Sequence, residues 1–169
     1  MLKKIALLFF ISCSIVFAET YQSKDDFLNQ IFTDTLPEPQ LLWLDKTIKP
    51  HVEKILQHKM SFLRTRYWQN ADKSVWILDE IGKTKLITVA VVVEQQKISQ
   101  LKVLAFRESR GWEVKHDFFT QQFKNISLAD NLQLTQAIDG ISGATLSVRA
   151  LTKIAKLALF FDQKINEEK

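Results

Sequence analysis

The chain has almost no cysteine, little excess of either charge, and no apolar run long enough to cross a membrane. Each lack removes a class of protein. Cys13 is the only cysteine in 169 residues. A lone cysteine forms no internal disulfide, no thiolate metal cluster and no Cys-x-x-Cys-His haem attachment. The whole chain carries a formal charge of +4, from 23 basic and 19 acidic residues. Lys3 and Lys4, in the leader described next, supply half of that, so the rest is close to balanced. A balanced chain argues against nucleic acid as a partner. No internal repeat, Gly-rich dinucleotide loop, Gly-x-Ser-x-Gly elbow or His-Glu-x-x-His motif occurs. His51 and His58 are seven apart, about 10 Å along a helix, too far to share a metal ion there.

Residues 1–18 read as a signal peptide. Lys3 and Lys4 open it, residues 5–17 are an apolar run, and Val16-Phe17-Ala18 ends in a cleavage site before Glu19. The run falls short of the roughly 20 residues that span a bilayer, so cleavage is expected rather than a retained anchor. A lipid anchor on Cys13 is the alternative reading, but Ser14-Ile15-Val16-Phe17 after it stays apolar. The expected location is the periplasm. Apolar residues make up 46% of the chain, enough for a packed core without crosslinks.

The remainder divides into a helical segment over 19–60 and one domain over 61–166. Residues 21–32 predict an amphipathic helix capped by Ser23, with Asp25 and Asp26 in its first turn and Phe27, Leu28, Ile31 and Phe32 inward. Pro37 and Pro39 end it. Leu41, Leu44, Ile48, Val52, Ile55 and Leu56 predict a second helical stretch over 41–57, kinked or split by Pro50. From residue 61 the period shortens. Strands are expected near 62–68, 74–81, 86–93 and 98–106, joined by polar turns at 82–83 and 94–97. Trp76 and Leu78 should face one side of the second, and Val75 and Ile77 the other. Residues 86–93 are apolar on both sides, as in a central strand. A short helix over 116–123 and a long one from 146 to 165 complete an α+β fold: an antiparallel sheet packed against helices, preceded by N-terminal helices.

One stretch carries chemistry. Asp139-Gly140-Ile141-Ser142-Gly143-Ala144-Thr145 has little side-chain bulk and runs straight into the last helix. Small residues allow a sharp turn and close approach of a ligand to the backbone. Thr145 then sits at a helix N-terminus, where free N–H groups and the dipole favour an anion such as phosphate.

The Asp-x-x-Ser-Gly-Ala-Thr pattern in this stretch resembles the flavinylation motif of FMN-binding domains, as in subunits C and G of the Na+-translocating quinone reductase and Rnf complexes. Glu108-Ser109-Arg110-Gly111 is similar to that family's Glu-Thr-Pro-Gly loop at its first and last positions, and departs from it in the middle. Phe119-Thr120-Gln121-Gln122-Phe123 resembles a family segment between the two. The likeness runs in order from about residue 62 to 161.

The resemblance implies FMN bound covalently to Thr145 through a phosphodiester, installed by a Mg2+- and FAD-dependent flavin transferase. It implies cofactor contacts from Asp139, Ser142, Gly143, Ala144, Glu108, Gly111 and Trp112. Trp112 is the first expected wall for the flavin ring and Trp76 the second. Asp139 is expected to orient the turn by accepting backbone N–H groups, or to be read by the transferase. No catalytic acid or base and no metal ligand stands out. The expectation is therefore an electron carrier serving membrane or periplasmic redox partners. A periplasmic flavin-dependent reductase and a non-catalytic accessory protein are the alternatives.

Overall fold

A computed structural model describes residues 19–71 and 73–167. The signal peptide expected over 1–18 lies outside the described residues. Six strands form one antiparallel sheet in the order β1-β6-β5-β4-β3-β2. They are β1 (Glu19–Thr20), β2 (Gln40–Trp43), β3 (Arg64–Gln69), β4 (Lys73–Ile81), β5 (Leu86–Glu94) and β6 (Lys97–Phe106). The helices are α1 (Lys24–Ile31), α2 (Lys49–Leu56), α3 (Asp117–Thr120) and α4 (Thr145–Glu167). The fold is α+β, as the sequence predicts.

Both faces of the sheet are covered. Trp76, Leu78, Val89, Val91 and Val103 face α2 and α4, in the larger core. Val75, Ala90, Val92 and Leu104 point the other way and pack with Phe27, Leu28 and Phe32 of the α1 region. The alternation in β4 thus holds as read, and β5 is central with both sides buried. At the start of α1, Ser23 Oγ accepts from Asp26 N at 3.0 Å, satisfying one of the helix's orphan donors. The β5–β6 turn puts two non-glycine residues, Gln95 and Gln96, at φ 49° and 60°. That is the backbone sense a two-residue antiparallel hairpin prefers.

The second predicted helix is different. Residues 40–43 form β2, an edge strand paired with β3 from Gln40↔Tyr67 to Trp43↔Arg64. Asp45 then closes a turn, its Oδ1 accepting from Thr47 N at 2.8 Å and Ile48 N at 2.9 Å. The Thr47 hydroxyl and these two N–H groups hold the Asp45 carboxyl below its ordinary value. Only after that turn does α2 begin, with Pro50 in its first turn. The proline does not kink a long helix; it starts a short one, where its missing N–H costs nothing. The helical period over 41–48 is outweighed by the backbone pairing that β3 gains on its outer edge.

The expected helix over 116–123 is a string of short turns: a 3-10 turn at Trp112–Lys115, the single turn of α3, and a second 3-10 turn at Gln121–Phe123. Phe119 and Phe123 are buried, whereas Phe118 is 65% exposed. α4 is longer than expected and buried on more than one side. It lies on β4, β5 and β6 and also touches α2, so Ala150, Leu157 and Phe160 are buried as well as Val148, Leu151 and Ile154. Among the described residues no helix is long and apolar enough to cross a membrane.

Candidate functional site

The site is built where α4 starts. Ala144 N–H donates to Ile141 O at 3.0 Å, closing a turn, and Ala144 O accepts from Val148 N at 3.0 Å. Ala144 is therefore the cap, and Thr145 is the first helical residue. The N–H groups of Thr145, Leu146 and Ser147 belong to the turn that has no intrahelical acceptor. Gly143 makes the bend at φ +84°, where L side chains are strained. A side chain there would meet nothing within 4 Å, so the need for glycine is conformational, not spatial.

A second loop closes on this helix start. Gly111 takes φ +83°, and a Cβ added there would lie 2.5 Å from Ser147 Oγ and 3.4 Å from Ala144. Here a bare backbone is required on two counts. The contact brings the 108–111 loop and the 139–145 motif together, although residues 112–138 separate them in sequence.

A third loop, residues 82–85 between β4 and β5, is held by Glu108. Its Oε1 accepts from Lys83 N and Thr84 N at 2.5 Å each and from Lys85 N at 2.7 Å. Burial pushes the Glu108 carboxyl up, but the three N–H groups outweigh it and leave the carboxyl below its ordinary value. Arg107 does not pair with Glu108; it donates to Leu86 O at 3.2 Å and Thr88 Oγ1 at 2.9 Å, clamping the same hairpin.

The three loops enclose a cleft of about 560 Å³, lined by Lys83, by residues 108–110 and by residues 143–147. Ligand pockets commonly fall in this size range. Thr145 is among the lining residues and is exposed to solvent. Ser147 is only 4% exposed, lines the cleft, and has no hydrogen-bond partner for its hydroxyl among the described residues. Neither the Lys83 ammonium nor the Arg110 guanidinium has a partner among them.

Of the residues singled out in the sequence, Thr145, Gly143, Ala144 and Glu108 line the cleft, and Gly111 sits against it under Ser147. Ser142 is exposed on the preceding turn. Asp139 is exposed, and its carboxylate makes no hydrogen bond among the described residues. The turn is instead held through its backbone, Asp139 N–H donating to Gln122 Oε1 at 2.7 Å. Trp112 is 46% exposed and sits edge-on to His116, outside the lining. Trp76 cannot wall a ligand. It is fully buried, stacked on Tyr67 at 4.8 Å and beside Phe161, with Nε1 donating to Ser74 Oγ at 2.8 Å.

Sequence reasoning missed Lys83, the Arg110 charge and the Ser147 hydroxyl. Only Arg110 left a signal, as the basic residue at a departure from the family loop.

Residues 82–159 match the family model of the FMN-binding domain. That stretch is similar to FMN-binding domains. The matched stretch begins at the loop that bears Lys83 and ends in α4, so it contains all three walls of the cleft. FMN is the cofactor that such a domain binds. The donors present suit it: a helix N-terminus, a free hydroxyl and two free cations are what a phosphate group requires. No curated protein matches the chain. No solved structure matches it either.

Proposed function

We propose that this FMN-binding domain carries its cofactor covalently, through a phosphodiester on Thr145, and serves as an electron carrier outside the cytoplasmic membrane. The observation that carries this reading is the exposed Thr145 hydroxyl on the first turn of α4, inside a cleft with unpartnered donors. Thr145 is a weak nucleophile and makes no side-chain hydrogen bond to a base among the described residues, so attachment is assigned to a separate Mg2+- and FAD-dependent transferase. Asp139, exposed on the approach to the turn, is then a residue for that enzyme to read. Bound FMN supplies one- and two-electron transfer, which the surrounding protein tunes by stacking, hydrogen bonds and charge.

The chain's own groups have distinct tasks. Leu146 and Ser147 N–H, without intrahelical acceptors in the first turn of α4, would hold a phosphate at Thr145. Gly111 keeps the 108–111 loop on the helix. Trp112 and Leu146, both partly exposed, offer apolar surface to a ring system. Export by the 1–18 leader makes a permanent tether useful, because free FMN outside the cytoplasm is lost by dilution. Donor and acceptor are then membrane-bound or periplasmic redox proteins.

The test is coexpression with a flavin transferase. The expected product fluoresces as a band on a denaturing gel, and its intact mass exceeds the polypeptide by one FMN less water. Thr145→Ala should lose both signals completely while keeping its fold. An unmodified Thr145 peptide at full occupancy from active cells removes the covalent reading.

A further inference from the structure

The sheet face that carries α1 is covered only in part. Phe27, Leu28 and Phe32 pack there on Trp68, Val75, Ala90, Val92 and Leu104, with Ile77 at their margin. Side chains alternate along a strand, so every second residue beyond these shares the face. Toward the β4–β5 hairpin those residues are Arg64 and Arg66 on β3, Asp79 and Ile81 on β4, and Leu86 and Thr88 on β5. Register pairs extend the face onto β2, where Leu41 lies opposite Arg66 and Trp43 opposite Arg64. Arg64 Cζ stands 5.2 Å from the centroid of the Trp43 ring, and the Thr88 hydroxyl donates to Asp79 Oδ1, as a shared face requires. Leu41, Trp43, Ile81 and Leu86 are 43–59% exposed. Exposed apolar side chains gathered on one face mark an interaction site.

Two further features shape this strip. β3 pairs with β4 only from Tyr67↔Trp76 to Gln69↔Ser74, and beyond that the strands part. A cleft of about 420 Å³ opens there, bordered on this face by Arg64, Arg66, Ile77, Ile81 and Leu86. It gives an apolar anchor side chain a pocket to fill. The charge is also one-sided. Arg64 and Arg66 make no ion pair among the described residues. Arg107 donates to Leu86 O and Thr88 Oγ1, both neutral, so its charge is unanswered as well. Asp79 is the one acid on the strip.

We infer that this strip docks an acidic amphipathic helix of a partner protein, laid beside α1. From Ile77 to Ile81 the strip runs about 13 Å, at roughly 3.3 Å per residue, close to the ~10–12 Å width of a helix. From β2 to β5 it spans about 14 Å, the length of roughly ten helical residues. Apolar side chains of the helix meet Ile77, Ile81 and Leu86. Its carboxylates reach Arg64 and Arg66 at one end and Arg107 at the other. This is the groove mode of helix recognition, with the flank of α1 as one wall. α1 stands above the sheet by about one helix width, so a flat bilayer laid on this side is held off the strip. A second copy fits no better, because a two-fold contact sets the three arginines against themselves. The inference stands whether or not Thr145 carries a flavin.

The experiment places a photocrosslinking residue in the full chain, in cells that make the protein naturally. Trp43→p-benzoylphenylalanine and Ile81→p-benzoylphenylalanine probe the strip. The same change at Lys97, exposed at the opposite end of the sheet, is the control. Both strip positions should crosslink one segment of a different protein, and Lys97 should not. Mass spectrometry should show that segment to be about ten residues long, with apolar residues at helical spacing and acidic residues toward both ends. Arg64→Glu with Arg66→Glu should cut the yield at least about tenfold, and Arg64→Gln with Arg66→Gln should cut it less. Both arginines are exposed, so both paired variants should melt with the wild type. The segment made as a synthetic peptide should bind the purified chain, and added salt should weaken it. No protein adduct, an adduct to lipid or to a second copy, a segment without acidic residues, or a yield indifferent to charge reversal overturns the inference.

Discussion

Gly111 is the residue on which the site geometry turns, since it fails any side chain for two separate reasons. Its φ of +83° costs an L residue roughly 1–2 kcal/mol. Its absent Cβ would also sit 2.5 Å from Ser147 Oγ, a distance that forces something to move. These costs can be pulled apart. Gly111→Ala should lower stability by about 2–4 kcal/mol in the wild-type background, combining backbone strain with overpacking. In a Ser147→Ala background the clash goes but the strain stays, so the cost should fall to about 1–2 kcal/mol. Denaturant unfolding of the four proteins measures the coupling. A cost identical in both backgrounds would show that Ser147 and Gly111 do not meet. The glycine was visible in the sequence because the Glu-x-x-Gly loop marks it. Ser147 was not, because a serine two places past Thr145 reads as surface, and only the docking of another loop buries it. Asp139 shows the opposite error: a carboxylate ahead of a helix reads as a cap, yet Gln122 takes the turn's N–H from a different part of the chain.

At the level of elements, the β4–β5 hairpin is positioned for function by a carboxylate from outside it. Glu108 follows the end of β6 and gathers the N–H groups of Lys83, Thr84 and Lys85 onto one oxygen. That clamp places Lys83 on the cleft. The folded chain stabilises the ionised form, so the carboxyl lies below its ordinary value of 4.5. The stabilisation is therefore fully present above about pH 4.5 and is lost as pH falls through the lower folded value. Glu108→Ala should cost about 1–3 kcal/mol near neutral pH, as for loss of a charged hydrogen-bond acceptor. The gap in melting temperature between wild type and variant should hold from neutral pH to about pH 5 and narrow below about pH 4.5. A gap that stays constant on acidification would mean the N–H bonds do not depend on the charge. Strands were the most legible elements, since β4 and β5 show their period directly. The 41–48 stretch was not legible, because a four-residue edge strand carries too few side chains to beat a helical spacing, and its pairing partner lies more than twenty residues away.

For the whole molecule, the decisive fact is that the stretch matched by the family model cannot supply its own second layer. Residues 82–159 include β5, β6 and the first two thirds of α4, but β1 to β4 lie outside the match, as do α1 and α2. On the face away from α4, Val75, Ala90, Val92, Leu104 and the Trp68 ring have Phe27, Leu28 and Phe32 as their cover. β1 closes the β6 edge through Glu19↔Phe106 and Thr20↔Ala105, and β2 closes the far edge on β3. Residues 19–60 therefore act as wall and edging of one sheet. Removing residues 19–35 takes away β1 and α1 together and leaves that apolar face open. Burial of three large apolar side chains stabilises by about 1.5–3 kcal/mol each, which is a large part of a typical domain's 5–15 kcal/mol. The shortened chain should melt at least about 10 °C lower, or fail to fold, and should bind a dye specific for exposed apolar surface. Wild-type unfolding should be a single transition by both near- and far-ultraviolet circular dichroism. Two separated transitions, or a shortened chain as stable as the whole, would establish the segment as an independent appendage. In that case the cleft at the start of α4 would owe nothing to it, and the proposed modification of Thr145 should reach the same extent in the shortened chain as in the intact one.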